Sequence, residues 1–232
     1  MFLENLINRA HNSIFNYEQA LNYLHSRFVT DDEIKTFRIG FSRVISLVDD
    51  GSEDFKDCSN KFYKGRKLEN KLIFPIQDML GNPVGFITRA LEIKDYDLYL
   101  TKDGKDYGAM FGLFQALPHI YQTGRVFVLE GPFDLLAFRK VYANSVGMNT
   151  AELTDAQHEQ LNFYAETIIT VFDSDTPGKK ATERAIKKFN TESISLGYKD
   201  PANCLVQCGS YKKFAERVRA EVDSRKKYRR TN

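Results

Sequence analysis

Cysteine, histidine and long apolar runs are scarce in this chain, and each scarcity removes a class of function. The 232 residues include three cysteines, Cys58, Cys204 and Cys208, too few for a disulfide framework. Cys204 and Cys208 stand without the second pair that a structural zinc site requires, so no zinc is expected and a reducing cytoplasm is the predicted compartment. The four histidines, His11, His25, His119 and His158, are scattered without metal-ligand spacing and read as structural or surface residues. No run of about 18 apolar residues occurs, which predicts no membrane span. The first residues, Met1-Phe-Leu-Glu-Asn, lack the basic-then-apolar layout of a signal peptide. There is no Gly-rich Walker loop, no nucleophile–base–orienter arrangement, no internal repeat and no low-complexity segment. An excess of one charge is absent too: 33 Lys and Arg against 31 Asp and Glu leave a net +2, so the overall field says little about partners.

What remains is an ordinary globular composition, 42% apolar and 28% charged, with room for one large domain or two small ones. The first 40 residues look helical. Apolar residues recur at helical spacing across 18–24, and Thr30-Asp-Asp-Glu33 is a capping-box pattern opening a second helix through Phe37. Residues 49–54 form a polar loop; 71–77 and 84–91 read as hairpin strands joined by the turn 80–83. Residues 95–105 look irregular, and a short helix is expected around 109–117. From Arg125 strands and helices alternate: strand 126–129, helix 133–141, strand 144–146, helix 154–164, a strand ending at Phe172, helix 178–189 and strand 193–196. Such alternation implies a parallel sheet with right-handed crossovers. The expected division is a mixed α+β N-terminal lobe at 1–123, an α/β domain with a central parallel sheet flanked by helices at 124–208, and a C-terminal helix with a basic tail at 209–232.

Two of these strands end in acid. Arg125-Val-Phe-Val-Leu-Glu-Gly-Pro-Phe-Asp134 and Thr167-Ile-Ile-Thr-Val-Phe-Asp-Ser-Asp-Thr-Pro-Gly178 are buried-strand runs that stop at carboxylates. In open α/β sheets the ligand crevice lies at the carboxyl ends of the strands, where Glu130, Asp173 and Asp175 would converge. Carboxylates that close repel unless a hard divalent cation sits between them. If strand geometry continues past Phe172, Asp173 and Asp175 point to one side; Thr176 can then cap the next helix with Pro177 at its first position. Alternatively Asp173-Ser-Asp-Thr is a turn and N-cap, which accounts for one aspartate. Asp134 would lie in the first turn of a helix, a favourable place for any carboxylate, and Asp200 sits in ordinary turn chemistry. Basic clusters at 61–71 and 225–230 suit contact with phosphates or a solvated helix end equally well.

Val128-Leu-Glu-Gly-Pro-Phe-Asp134, Phe172-Asp-Ser-Asp-Thr-Pro-Gly-Lys-Lys-Ala181 and Lys199-Asp-Pro201 resemble the Toprim domain, and within it the bacterial-type (DnaG-like) primases. The likeness continues upstream through Phe37-Arg-Ile-Gly-Phe41, Leu72-Ile-Phe-Pro-Ile-Gln-Asp78, Gly85-Phe-Ile-Thr-Arg-Ala-Leu91 and Gly112-Leu113, covering about residues 20 to 208. The resemblance implies that Glu130, Asp173 and Asp175 are catalytic, and that with Asp134 and Asp200 they hold magnesium or manganese. It implies phosphate contacts from Lys71, Arg89, Lys102 and Lys199. The family's lysine in a Lys-Tyr-Leu-Asn segment is here Leu98, with Lys102 or Lys105 nearby to take over.

The activity implied is DNA-directed RNA primer synthesis on single-stranded DNA from ribonucleoside triphosphates. Against it stand a Toprim metal-dependent nuclease and a catalytically silent nucleic-acid-binding replication subunit. The family's zinc module and helicase-binding domain have no counterpart in this sequence. A phage-encoded or plasmid-encoded core is therefore expected, working with a replicative helicase and a separate zinc-bearing subunit.

Overall fold

The computed structural model describes residues 2–43, 49–63, 68–93 and 95–229, with side chains throughout except at 63 and 225–229. It divides into two compact units, Met1–Gln115 and Ala116–Asn232. The side chains of the basic run 225–230 and much of the cluster at 61–71 fall outside what is described.

The first unit opens with α1 (Phe2–Ile14), whose buried Phe2, Leu3, Leu6, Ile7, Ala10 and Ile14 form one apolar face. α2 (Glu18–Ser26) and α3 (Asp31–Thr36) follow. The expected capping box is present: Glu33 N donates to Thr30 Oγ1 at 3.2 Å, and Thr30 N donates to the Glu33 carboxylate at 2.9 Å. Next come β1 (Gly40–Ser42), α4 (Glu53–Cys58) with a π-helical turn at Ser59–Tyr63, β2 (Lys71–Gln77), β3 (Pro83–Ala90), β4 (Tyr96–Leu100) and α5 (Lys102–Asp106). The strands form an antiparallel sheet in the order β1-β2-β3-β4. α1 packs on this sheet so closely that a Cβ at Gly40 would stand 2.6 Å from backbone and side-chain carbons of Ala10. Phe2, Leu6, Ile7, Cys58, Phe62, Ile73, Phe86 and Tyr99 share one core cluster, with the Phe62 and Phe86 ring centroids 5.3 Å apart.

Residues 95–105 are ordered rather than irregular. β4 pairs Leu98 with Ile87 and Leu100 with Gly85, and α5 starts at Thr101, whose side chain accepts from Gly104 N. β4 is the last strand of its sheet and mostly half-exposed, so its sequence shows no clean alternation; the pairing with β3 supplies what local pattern does not.

α6 (Leu113–Thr123) carries the chain into the second unit; the division falls after Gln115, within this helix, rather than after residue 123. There follow β5 (Arg125–Leu129), α7 (Pro132–Phe138), β6 (Ser145–Gly147), α8 (Asp155–Tyr164), β7 (Thr167–Val171), α9 (Thr176–Phe189), β8 (Glu192–Ser193), α10 (Pro201–Cys208) and α11 (Tyr211–Arg229). All strand pairs are parallel, in the order β6-β5-β7-β8. The chain moves from β5 out to β6, then returns to the opposite side of β5 as β7. The direction of winding therefore reverses between β5 and β7, which is where a parallel sheet opens a crevice at its carboxyl ends. Register is level there, from Arg125 opposite Thr167 to Leu129 opposite Val171. Both strands are buried from their second residue onward, as their continuous apolar runs require. α10, whose first residues beside Asp200 read as turn, packs against α7 and α11.

Candidate metal centre

The strand ends deliver their carboxylates through different devices. Glu130 follows β5 directly, and its Oε1 accepts from the backbone N–H of Asp173 at 2.9 Å, bridging the ends of the two central strands. Asp134 lies one turn further on, at the start of α7, and its Oδ1 accepts from Ala202 N at 3.1 Å. Asp200 is the N-cap of α10, accepting from Asn203 N at 2.6 Å. The loop after β7 is tied to the residue before Asp200, since Ser174 N donates to Lys199 O at 2.8 Å. Among the described residues, Asp134, Asp173 and Asp200 each offer an oxygen, and these atoms all lie within 4.8 Å of one another.

Asp173 and Asp175 do not share a continuing strand. β7 stops at Val171, and Asp175 is itself the N-cap of α9, its Oδ1 accepting from Gly178 N at 2.9 Å. Thr176, expected to cap, is the first helical residue. The reason lies in Gly178: a Cβ there would stand 2.2 Å from the Asp173 carbonyl oxygen. The helix begins against the Asp173 backbone, a closeness that only glycine permits, and the turn before it must cap from Asp175. Glu130 and Asp175 thus border the trio, each with an oxygen already engaged.

Burial raises the Asp134 carboxyl well above its ordinary value, and repulsion from Asp200, Asp173 and Glu130 raises it further; the Ala202 N–H offsets part of this. An all-oxygen donor set under mutual repulsion fits a hard divalent cation, which would relieve the repulsion and restore the ionised form.

The basic residues are placed variously. Lys71 is buried and pairs with Asp95 at 2.8 Å and Asp97 at 3.1 Å. Arg89 is buried, donates to Ile93 O and to Tyr23 OH, and lies 4.7 Å over the Tyr96 ring. Lys102 and Lys199 are exposed. At Leu98 the backbone carbonyl accepts from Lys61 Nζ. Sequence reasoning missed the Ala202 and Asp173 backbone donors and the Ser174–Lys199 tie. Of these only the Asp-Pro helix-start signal before Ala202 was visible in advance.

Residues 127–204 match the Toprim-like family. This span runs from within β5 to the middle of α10, and includes every carboxylate of the centre. The match falls wholly within the second unit. Beyond it, the chain is 30% identical over 207 residues to a DNA primase of Treponema pallidum, covering 80% of this chain and 34% of that protein. It is 28% identical over 204 residues to a DNA primase of Lactococcus lactis, covering 77% of this chain and 31% of the relative. The chain thus spans about a third of the length of these curated relatives. A DnaG primase catalytic domain solved bound to ssDNA superposes with a TM-score of 0.74 at 21% identity, covering 94% of this chain and 79% of that one. Antiparallel unit and Toprim-like domain together have the fold of a bacterial-type primase catalytic core.

Proposed function

We propose that this chain is the catalytic core of a DNA primase, a nucleotidyltransferase that makes short RNA primers on single-stranded DNA. The observation that carries the reading is the carboxylate trio at the switch point of a Toprim-like sheet, in a chain whose fold follows primase cores through both units. Asp134, Asp173 and Asp200 hold the cations, with Glu130 and Asp175 at the border supplying further oxygens. Magnesium or manganese bound there would neutralise triphosphate charge and align a 3′-hydroxyl with the α-phosphorus. Glu130 also fixes the Asp173 backbone through the bond between them. Lys102 and Lys199, both exposed, contact nucleotide or template phosphates. Lys71 and Arg89 reach phosphate only by exchanging the partners they now hold, and otherwise secure β3 and β4.

Ribonucleoside triphosphates and a single-stranded template are the substrates, and a replicative helicase with a zinc-bearing subunit are the expected partners. Among the described residues no helix is long and apolar enough to cross a membrane; the primase reading, in turn, puts the protein in the cytoplasm. Incorporation of labelled ribonucleotides on single-stranded DNA, with and without magnesium, tests the reading. Metal-dependent product growth supports it; loss of the DNA with no incorporation points to a nuclease, and metal-independent binding alone to a silent subunit.

A further inference from the structure

α9 leaves the carboxylate centre directly from its cap at Asp175 and carries five cations, Lys179, Lys180, Arg184, Lys187 and Lys188, against one acid, Glu183. Its inner face is set by Gly178, Ala181 and Ala185, all buried. At 100° per residue, Lys180 and Lys187 fall on the opposite, outward line with Glu183 between them, and Lys179 on the flank. All five cations are exposed, but they are not equivalent. Arg184 pairs with Glu152 at 3.1 Å and Lys188 with Asp155 at 2.6 Å, so both secure α9 to the α8 segment. Lys179, Lys180 and Lys187 have no side-chain partner among the described residues. Lys187 at least complements the negative end of the helix. Lys179 and Lys180 sit near the positive end, where a cation opposes the helix dipole, and ahead of them only the cap, Asp175, is acidic. Packing does not account for them, and the one acid on this face, Glu183, cannot serve all three lysines at once.

We propose that the outward face of α9, through Lys179, Lys180 and Lys187, is a track for the phosphodiester backbone of a single DNA strand as it passes the carboxylate centre. The line from Lys179 to Lys187 runs about 12 Å along the helix. That is several times the roughly 3.4 Å advance per nucleotide of one strand, so it suits a strand rather than a lone nucleotide. Lysine ammonium groups are point charges without a planar fork to read a base edge, so they bind backbone phosphate without regard to sequence, as template tracking requires. Exposed Lys199 continues the track, because the Ser174 N–H bond to Lys199 O holds that loop beside the start of α9.

The identity of the strand rests on the primase reading; the phosphate contacts do not. Binding of a labelled single-stranded oligonucleotide is measured by anisotropy across a salt series, with magnesium present, for wild type and two charge-matched variants. Each phosphate contact contributes about 0.7 to the slope of log K against log salt on single strands. Lys180→Gln/Lys187→Gln is expected to flatten the slope by about 1.4 at unchanged melting temperature, while Arg184→Gln/Lys188→Gln leaves the slope as it is. Equal slopes in wild type and Lys180→Gln/Lys187→Gln, equal flattening in both variants, or an effect confined to duplex DNA would each overturn the proposal. Ribonucleotide incorporation by the wild type is scored separately: its absence removes the primase reading while a flattened slope still stands, and its presence with equal slopes removes only the track.

Discussion

At the scale of single residues, the centre is governed by how each carboxylate is already employed. Asp134 is the group with a raised folded-state pKa, so between its unfolded value, about 3.9, and the higher folded value the native state holds more protons than the unfolded one. Its contribution to stability is therefore complete below about pH 4 and declines as pH rises through that window. Asp134→Asn keeps an oxygen for the Ala202 N–H and removes the charge. Metal-free Asp134→Asn should melt above wild type at neutral pH, with the gap closing toward pH 4, and should lose the magnesium-induced rise in melting temperature. A variant that melts below wild type at pH 7 would mean the carboxylate is not under repulsion. Glu130→Gln likewise retains an acceptor for Asp173 N, so stability should change by less than about 1 kcal/mol while primer synthesis falls about 100-fold or more. Asp175 has two separable tasks. Asp175→Ser preserves the cap, where Asp175→Ala costs about 1 kcal/mol; synthesis should be lost in both, and normal synthesis in the serine variant would confine Asp175 to capping.

At the scale of elements, the decisive contact is between the start of α9 and the end of β7. Gly178→Ala forces these apart, since the new methyl has backbone at 2.2 Å, and should destabilise the fold by about 1–3 kcal/mol. Magnesium affinity, read by calorimetry, should weaken with it, because Asp173 moves with its backbone. Much at this scale was legible in advance. β5 and β7 announced themselves by runs of apolar and β-branched residues, the capping box at Thr30 is where its side-chain pattern put it, and α8 starts where the helix at 154 was expected. The failures share a cause. β4 owes its conformation to pairing with β3, and α5 is a single capped turn too short to show a period. α10 hid because Asp200 and Pro201 serve equally in a turn and in a helix start. For the site, the acidic residues were identifiable by type, whereas their division into a close trio and two bordering residues was not. That division depends on the Ala202 and Asp173 backbone donors, which carry no side-chain signature.

At the scale of the whole molecule, a net charge of +2 offers little general attraction to nucleic acid, so affinity must come from local arrangement and depend steeply on salt. Elemental analysis of the purified chain should find no stoichiometric zinc, because the centre offers only oxygen and the thiols of Cys58 and Cys204 are buried with pKa values pushed up to about 12. One zinc per chain would mean a nitrogen or sulfur ligand set beyond the all-oxygen one present among the described residues. Addition of the helicase and the zinc-bearing subunit should raise rate and start-site selectivity together. A fixed start site at a rate indifferent to both would put template choice within this chain.

The way the centre is stitched together has a bearing on time. The Glu130–Asp173 bond joins residues 43 apart and the Asp134–Ala202 bond residues 68 apart, with parallel strand pairing between them. Such closures are slow and come after helices have formed. On refolding, sensitised terbium luminescence from the centre should therefore lag the far-ultraviolet dichroism. During synthesis the same ordering makes the nascent chain inert: until Asp200 has cleared the ribosome and α10 has docked on α7, there is nowhere for the ion to settle.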